Sequence, residues 1–268
     1  MSRTSIAAVA LIALAPVAAL ATPATAVASA DAPHARKAAA KFKVIAKVNM
    51  TEAVAGEDKI KVKGRVKPNA RGEKIVLQQR LDGNKKWAKT DTAKIKKNGT
   101  FVLKDKPSRG GEREYRVLKP GDDGIKKGYS KPMSVTVWAW EKLGYMPSGA
   151  KNAVTVNSGY IATEYYYPTI QTETAGTPGF IEYTLGKKCT TLRGTYALLD
   201  TSATGSTGTI AVSTDGAVRS TYNLAVGTIA ADEELSVTDV FRLRFDFASS
   251  AAPAAAIPAI ADAEVLCS

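Results

Sequence analysis

From Lys41 onward, apolar and polar residues alternate with a period of two, the signature of strands with one buried face. Phe42, Val44, Ala46 and Val48 fall on one side of the first stretch. In the run from Lys59 to Lys67, the apolar Ile60, Val62 and Val66 alternate with Lys59, Lys61, Lys63, Arg65 and Lys67. That pattern predicts a half-buried strand whose outer face is wholly basic. Further strands are expected at Lys74–Leu81, Trp87–Thr90, Thr100–Leu103, Glu114–Leu118 and Met133–Trp140. Turn formers separate them: Pro68-Asn69, Asp82-Gly83-Asn84, Asn98-Gly99, Arg109-Gly110-Gly111 and Pro120-Gly121.

About seven short strands in about 100 residues predict an Ig-like β-sandwich over 41–140. Without a cysteine in this half, Trp87 is the candidate for its central core aromatic. Residues 141–153, with Gly144, Pro147, Ser148 and Gly149, read as a linker. Alternation then resumes at Phe180–Leu185, Thr190–Leu198, Gly208–Thr214, Ala217–Leu224 and Val240–Phe247. Asp215-Gly216 between two of these runs is a hairpin signal. The Ala/Pro-rich stretch from Ala248 to Ala263 reads as a surface loop before a closing strand that carries Val265 and Cys267 on one face. The class expected is therefore all-β, with two β-sandwich domains, the second at 154–268 and of jelly-roll type.

Composition divides the chain at the same place. Residues 36–140 hold 28 Lys and Arg against 11 Asp and Glu, whereas 141–268 hold 8 against 13. Two domains with different surfaces are the expected consequence. Ahead of them, Arg3, an apolar run from Ile6 to Ala21 and the small residues Ala28-Ser29-Ala30 read as a cleaved secretory signal over 1–30. Residues 31–40 would be a flexible N-terminus. No second apolar segment follows, so the mature chain is expected to have no transmembrane segment and to be secreted, free or at the cell wall. In an exported chain, Cys189 and Cys267, its two cysteines, are expected to form one disulfide. Closing a loop of about 79 residues is worth roughly 4.5 kcal/mol in the chain-entropy model, as an upper figure.

Two resemblances add to this reading. Gly64-Arg65-Val66-Lys67-Pro68, Val76-Leu77-Gln78-Gln79, Trp87, Gly99-Thr100-Phe101, Tyr115-Arg116-Val117 and Ser130 resemble the Ig-like domains of secreted and surface proteins of bacteria, over roughly 41–138. Such domains act as spacers or binding platforms. The run Glu182–Leu192, Leu199-Asp200, Thr209–Gly216, Phe241-Arg242-Leu243 and Ala261–Cys267 resembles the NPCBM family of carbohydrate-binding-type modules, over about 150–268. That resemblance implies a galactose-binding-like β-sandwich and a sugar-binding role.

The candidate chemistry is that of binding. A sugar platform needs exposed rings ringed by hydrogen-bonding groups, and Tyr160 with Tyr165-Tyr166-Tyr167 is the densest aromatic cluster. On a strand, Tyr166 would share the core face with Pro168 and Ile170, leaving Tyr165 and Tyr167 outward with Thr163 and Thr169. The alternative is that all four tyrosines pack at a sandwich rim. Asp200 and Asp215 lie at strand ends, where a carboxylate can hold a sugar hydroxyl or calcium, although a turn role already suffices for Asp215. Trp138 and Trp140 are candidates for packing between the domains.

The basic strand also has two readings. It is a solvated face that resists aggregation, or Lys59, Lys61, Lys63, Arg65 and Lys67 bind anionic envelope polymers. No aromatics are interleaved with these cations, which argues against nucleic acid. His34, the one histidine, precedes both domains, so histidine-dependent triads and zinc sites have no residues to build them. No phosphate-binding glycine loop opens a helix. The expected function is a non-catalytic, cofactor-free protein that binds extracellular or cell-wall glycan. The rival is a structural or adhesive protein that binds polyanions or proteins through its basic domain.

Overall fold

Strand pairing accounts for most of the chain. The computed structural model describes residues 40–268, and no α-helix occurs among them. The expected signal at 1–30 and nearly all of 31–40 lie outside the described residues. The first half contributes β1 (Lys43–Val48), β2 (Glu52–Val54), β3 (Ile60–Lys67), β4 (Lys74–Leu81), β5 (Ala88–Lys94), β6 (Thr100–Asp105), β7 (Gly111–Lys119), β8 (Gly128–Tyr129) and β9 (Met133–Lys142). A 3-10 turn at Leu143–Tyr145 follows. The second half contributes β10 (Lys151–Asn152), β11 (Val154–Ile161), β12 (Glu164–Thr172), β13 (Gly179–Thr184), β14 (Cys189–Leu198), β15 (Thr207–Thr214), β16 (Ala217–Ala225), β17 (Ile229–Ser236), β18 (Arg242–Ser249) and β19 (Pro258–Cys267).

These strands form several antiparallel sheets, with β2 running parallel to β9 as the exception. β1-β3-β6 is one sheet, and its apolar side shares a core with the run β9-β7-β4-β5. Ile60, Val62 and Val66 of β3 meet Ile75, Leu77, Val117, Val135 and Val137 there. Gly64 interrupts the apolar positions of β3 for a steric reason: a Cβ there would stand 2.1 Å from the Ile45 carbonyl oxygen and 2.5 Å from the Phe101 ring. Tyr115 is fully buried in this core and donates its hydroxyl to Asp105 at 2.6 Å. Burial and that bond both hold the Tyr115 hydroxyl well above its ordinary pKa. Tyr115 and Phe101 thus fill the central place expected of Trp87. Trp87 instead precedes the edge strand β5 and lies half-buried on the outer side, with the guanidiniums of Arg80 and Arg116 at 4.7 and 4.1 Å from its ring.

In the second half, β10-β13-β18-β15-β16 forms a five-stranded sheet. Its Ile181, Tyr183, Ile210, Val212, Leu243, Phe245 and Phe247 share a core with Ile170, Leu192, Tyr196, Ile260 and Val265 from β12, β14 and β19. The stretch expected to be a loop to Ala263 is strand from Pro258 onward. Its alanines gave no alternation because the start of β19, Pro258–Ala261, is buried on both sides: Ile260 faces this core, while Ala259 and Ala261 join Ile161, Ala197 and Leu199 in another cluster. β17 carries Asp232, Glu233 and Glu234 on a sheet edge, and its acidic exposed face hid it from a pattern search.

The segment expected to be a linker belongs to the fold. β19 pairs with β14 along one edge, from Cys189↔Cys267 to Leu198↔Pro258. Its other edge is shared. β12 pairs with Ala259–Ala261, and β9 then takes over, with Ala139, Trp140, Glu141 and Lys142 opposite Cys267, Leu266, Val265 and Glu264. One sheet therefore runs through both halves. The Cys189–Cys267 disulfide closes it at the end where β9 arrives. The guanidinium of Arg193 lies 3.7 Å from the Trp140 ring centroid and donates to Glu264 at 2.6 and 3.0 Å. Leu143, just beyond β9, is fully buried in the second core.

Replacing both cysteines, Cys189→Ser with Cys267→Ser, should cost about 2–4 kcal/mol. For a chain of this size that is a fall of roughly 5–15 °C in Tm, read by calorimetry against the unreduced parent. An unchanged Tm would contradict a stabilising role for the bond.

Candidate functional site

The tyrosine cluster is built by a two-residue hairpin. β11 and β12 pair with Tyr160 opposite Tyr165, and the turn between them is Ala162-Thr163. Both turn residues have positive φ, 50° and 70°, the pattern of a type I′ turn made without glycine. Asp200 stabilises that conformation. Its carboxylate accepts the amides of Ala162 and Thr163, each at 2.8 Å, and its own amide donates to the Tyr160 carbonyl at 2.9 Å. Both carboxylate oxygens are thus engaged with the turn, so Asp200 is a positioning residue here.

The rings that this hairpin presents face solvent. Tyr160, Tyr165 and Tyr167 are each exposed by slightly over half. Tyr160 and Tyr165 meet edge to face at 5.4 Å, a contact that covers at most one ring face. Tyr167 lies two residues further along β12, with Tyr145 at 6.4 Å and tilted by 60°. Tyr145, exposed by 65%, comes from the turn after β9, within the segment expected to be a linker. Periodicity carried no signal for it, because a turn residue belongs to no strand pattern.

Tyr166 turns away and packs on the small cluster of Ile161, Ala197, Leu199, Ala259 and Ala261. Its hydroxyl donates to Glu164 at 2.9 Å. Desolvation, then this bond, hold its pKa above the ordinary phenol value. Thr169, expected to face outward with the tyrosines, is buried instead: it donates to the Asn157 carbonyl and sits within hydrogen-bond reach of Gln171. The expected outward row therefore stops at Tyr167.

Asp215 has the turn role anticipated for it. Its carboxylate accepts the amides of Arg242 at 2.8 Å and Phe241 at 3.2 Å, and these two bonds lower its pKa. Trp138 donates weakly to Glu52 at 3.4 Å, and Trp140 stacks under Arg193 where the halves join.

The basic residues lie on a different sheet from this hairpin, β1-β3-β6. Lys61, Lys63, Arg65 and Lys67 alternate with buried Val62 and Val66 and are exposed, as is Lys59 just before the strand. The flanking strands add cations that a single-strand reading did not include: Lys43 and Lys47 on β1 and Lys104 on β6, all exposed. The tyrosines and the cations thus form two separate surfaces. No group of His, Cys, Asp and Glu suited to a metal ion occurs among the described residues. No described helix is long and apolar enough to cross a membrane.

No protein-family model matches the chain, and no curated protein matches it. The functional reading therefore stands on the geometry of these surfaces.

Asp200→Ala should loosen the hairpin, costing about 1 kcal/mol and raising amide exchange at Ala162–Glu164. Ala162→Asn with Thr163→Gly should restore the loss in that background, since both residues accept the left-handed conformation. Failure of that rescue would show that Asp200 acts elsewhere.

Proposed function

We propose that the chain is an exported, non-catalytic binding protein made of two β-sandwiches. In this reading the first, at 41–140, is Ig-like. The second, at 154–268, is a galactose-binding-like sandwich of NPCBM type that holds neutral glycan on Tyr145, Tyr160, Tyr165 and Tyr167. The observation that carries it is the ledge of four exposed rings, three on a hairpin whose turn Asp200 holds and Tyr145 beside them from the turn after β9. Rings fixed in place stack on the apolar faces of sugar rings without paying to become ordered. The disulfide suits an oxidising compartment and so supports export. The gathering of most buried apolar residues into one main core in each half, with a small satellite cluster in the second, supports the division into two sandwiches.

Retention of the purified chain on a panel of insoluble neutral polysaccharides tests this reading. At least one should retain it with little dependence on salt. At about 1 kcal/mol per ring, Tyr165→Ala with Tyr167→Ala should weaken that retention by roughly 30-fold while leaving far-UV circular dichroism unchanged. Retention untouched by the double substitution, or release of reducing sugar by the purified protein, would overturn the proposal.

A further inference from the structure

The outer face of β1-β3-β6 is arranged against its own stability. Lys43 stands opposite Lys67, Lys47 opposite Lys63, and Lys61 opposite Lys104. Like charges directly opposite each other on a sheet are destabilising. Among the described residues, none of these six lysines nor Arg65 has a carboxylate within ion-pairing distance. The ion pairs among the described residues all lie elsewhere and use mostly arginines, as Arg80 with Glu114, Arg193 with Glu264, and Arg244 with Glu182 and Asp246.

Protection against edge-to-edge aggregation does not explain the arrangement. That device belongs on edge strands, and β3, with four of the seven cations, is the middle strand of its sheet. Between the cations runs a shallow trough floored by Ile45, which is half exposed, and by the backbone at Gly64.

We propose that this face binds a flexible linear phosphodiester polymer without bases, of the polyol-phosphate kind. Alternate residues along β3 repeat every ~7 Å, which places a row of charges at the spacing of short phosphodiester repeats. Six of the seven cations are lysines, compact charges that impose little directionality, whereas planar carboxylate recognition favours the arginine fork. The outward positions of the three strands include no aromatic residue on which a base or a sugar ring could stack. Charge complementarity thus selects a polymer read by its backbone. Because this surface is separate from the tyrosine ledge, either proposal can fail without the other.

The test uses the full chain and three probes: poly(glycerol phosphate), oligothymidylate of equal charge, and anionic phospholipid vesicles. Binding to poly(glycerol phosphate) should be tightest and fall log-linearly with salt. The variant K47Q/K61Q/K63Q/R65Q should bind ~100-fold more weakly at low salt, with a slope shallower by about three to four. The control K85Q/K86Q/K89Q/K94Q loses the same charge from another sheet and the loop before it and should change affinity less than ~3-fold. The face variant should also have an equal or higher Tm at low salt, because it relieves the repulsion.

Equal loss in the control would reduce the effect to net charge and overturn the proposal. So would a lower Tm in the face variant, which would make the cations structural. Preference for oligothymidylate or for vesicles would assign the face to a different partner. Self-association of the parent chain that the face variant abolishes would assign it to the acidic half of a second copy.

Discussion

The edge of β19 is the constraint on which the two halves depend. Over Pro258–Ala261 the strand is buried on both faces, and from Glu264 to Cys267 alternate residues are buried, so its amides and carbonyls need partners along most of its length. β14 follows one edge from Pro258 to Cys267 with a bulge between Ala261 and Glu264, but β12 reaches only Ala259–Ala261 on the other. The last four residues of β9 supply what is missing at Glu264–Cys267. The first half thereby completes the second, and the disulfide pins the third strand of that junction in place. Trp140, Arg193 and Glu264 stack over the pairing and exchange one exposed ring and two exposed charges for mutual contact.

That junction also arranges the surfaces. Continuing β9 into the second half delivers Leu143 to its core and Tyr145 to Tyr167, so the aromatic ledge draws on a residue outside its own hairpin. The sheet β1-β3-β6 takes no part in the join and remains free to carry its cations outward. One side of the first half is committed to holding the molecule together, and the other to charge.

Most strands were legible because half-buried strands alternate. β3, β4, β15 and β16 fall within a residue or so of their expected limits, and the exposure of Tyr165 and Tyr167 follows the same rule. The rule is silent where both faces are buried with small residues, as in β19, and where an edge strand is covered with acids, as in β17. It also misplaced Trp87, since size suggests a core residue but two flanking arginines make an outer site equally good for an indole. The hairpin turn at Ala162-Thr163 has no glycine or asparagine to announce it. Its stabilising carboxylate, Asp200, is 37 and 38 residues away in sequence. Neither the pairing of β9 with β19 nor the like-charge register of β1, β3 and β6 could be read from one strand at a time, because register is a property of two.

The most direct test of this account is differential scanning calorimetry of the intact, oxidised chain. If β9 and β19 complete one another, the halves should unfold in a single transition whose calorimetric and van't Hoff enthalpies agree. Two resolved transitions, or a calorimetric enthalpy about twice the van't Hoff value, would show that the halves stand independently and would contradict it.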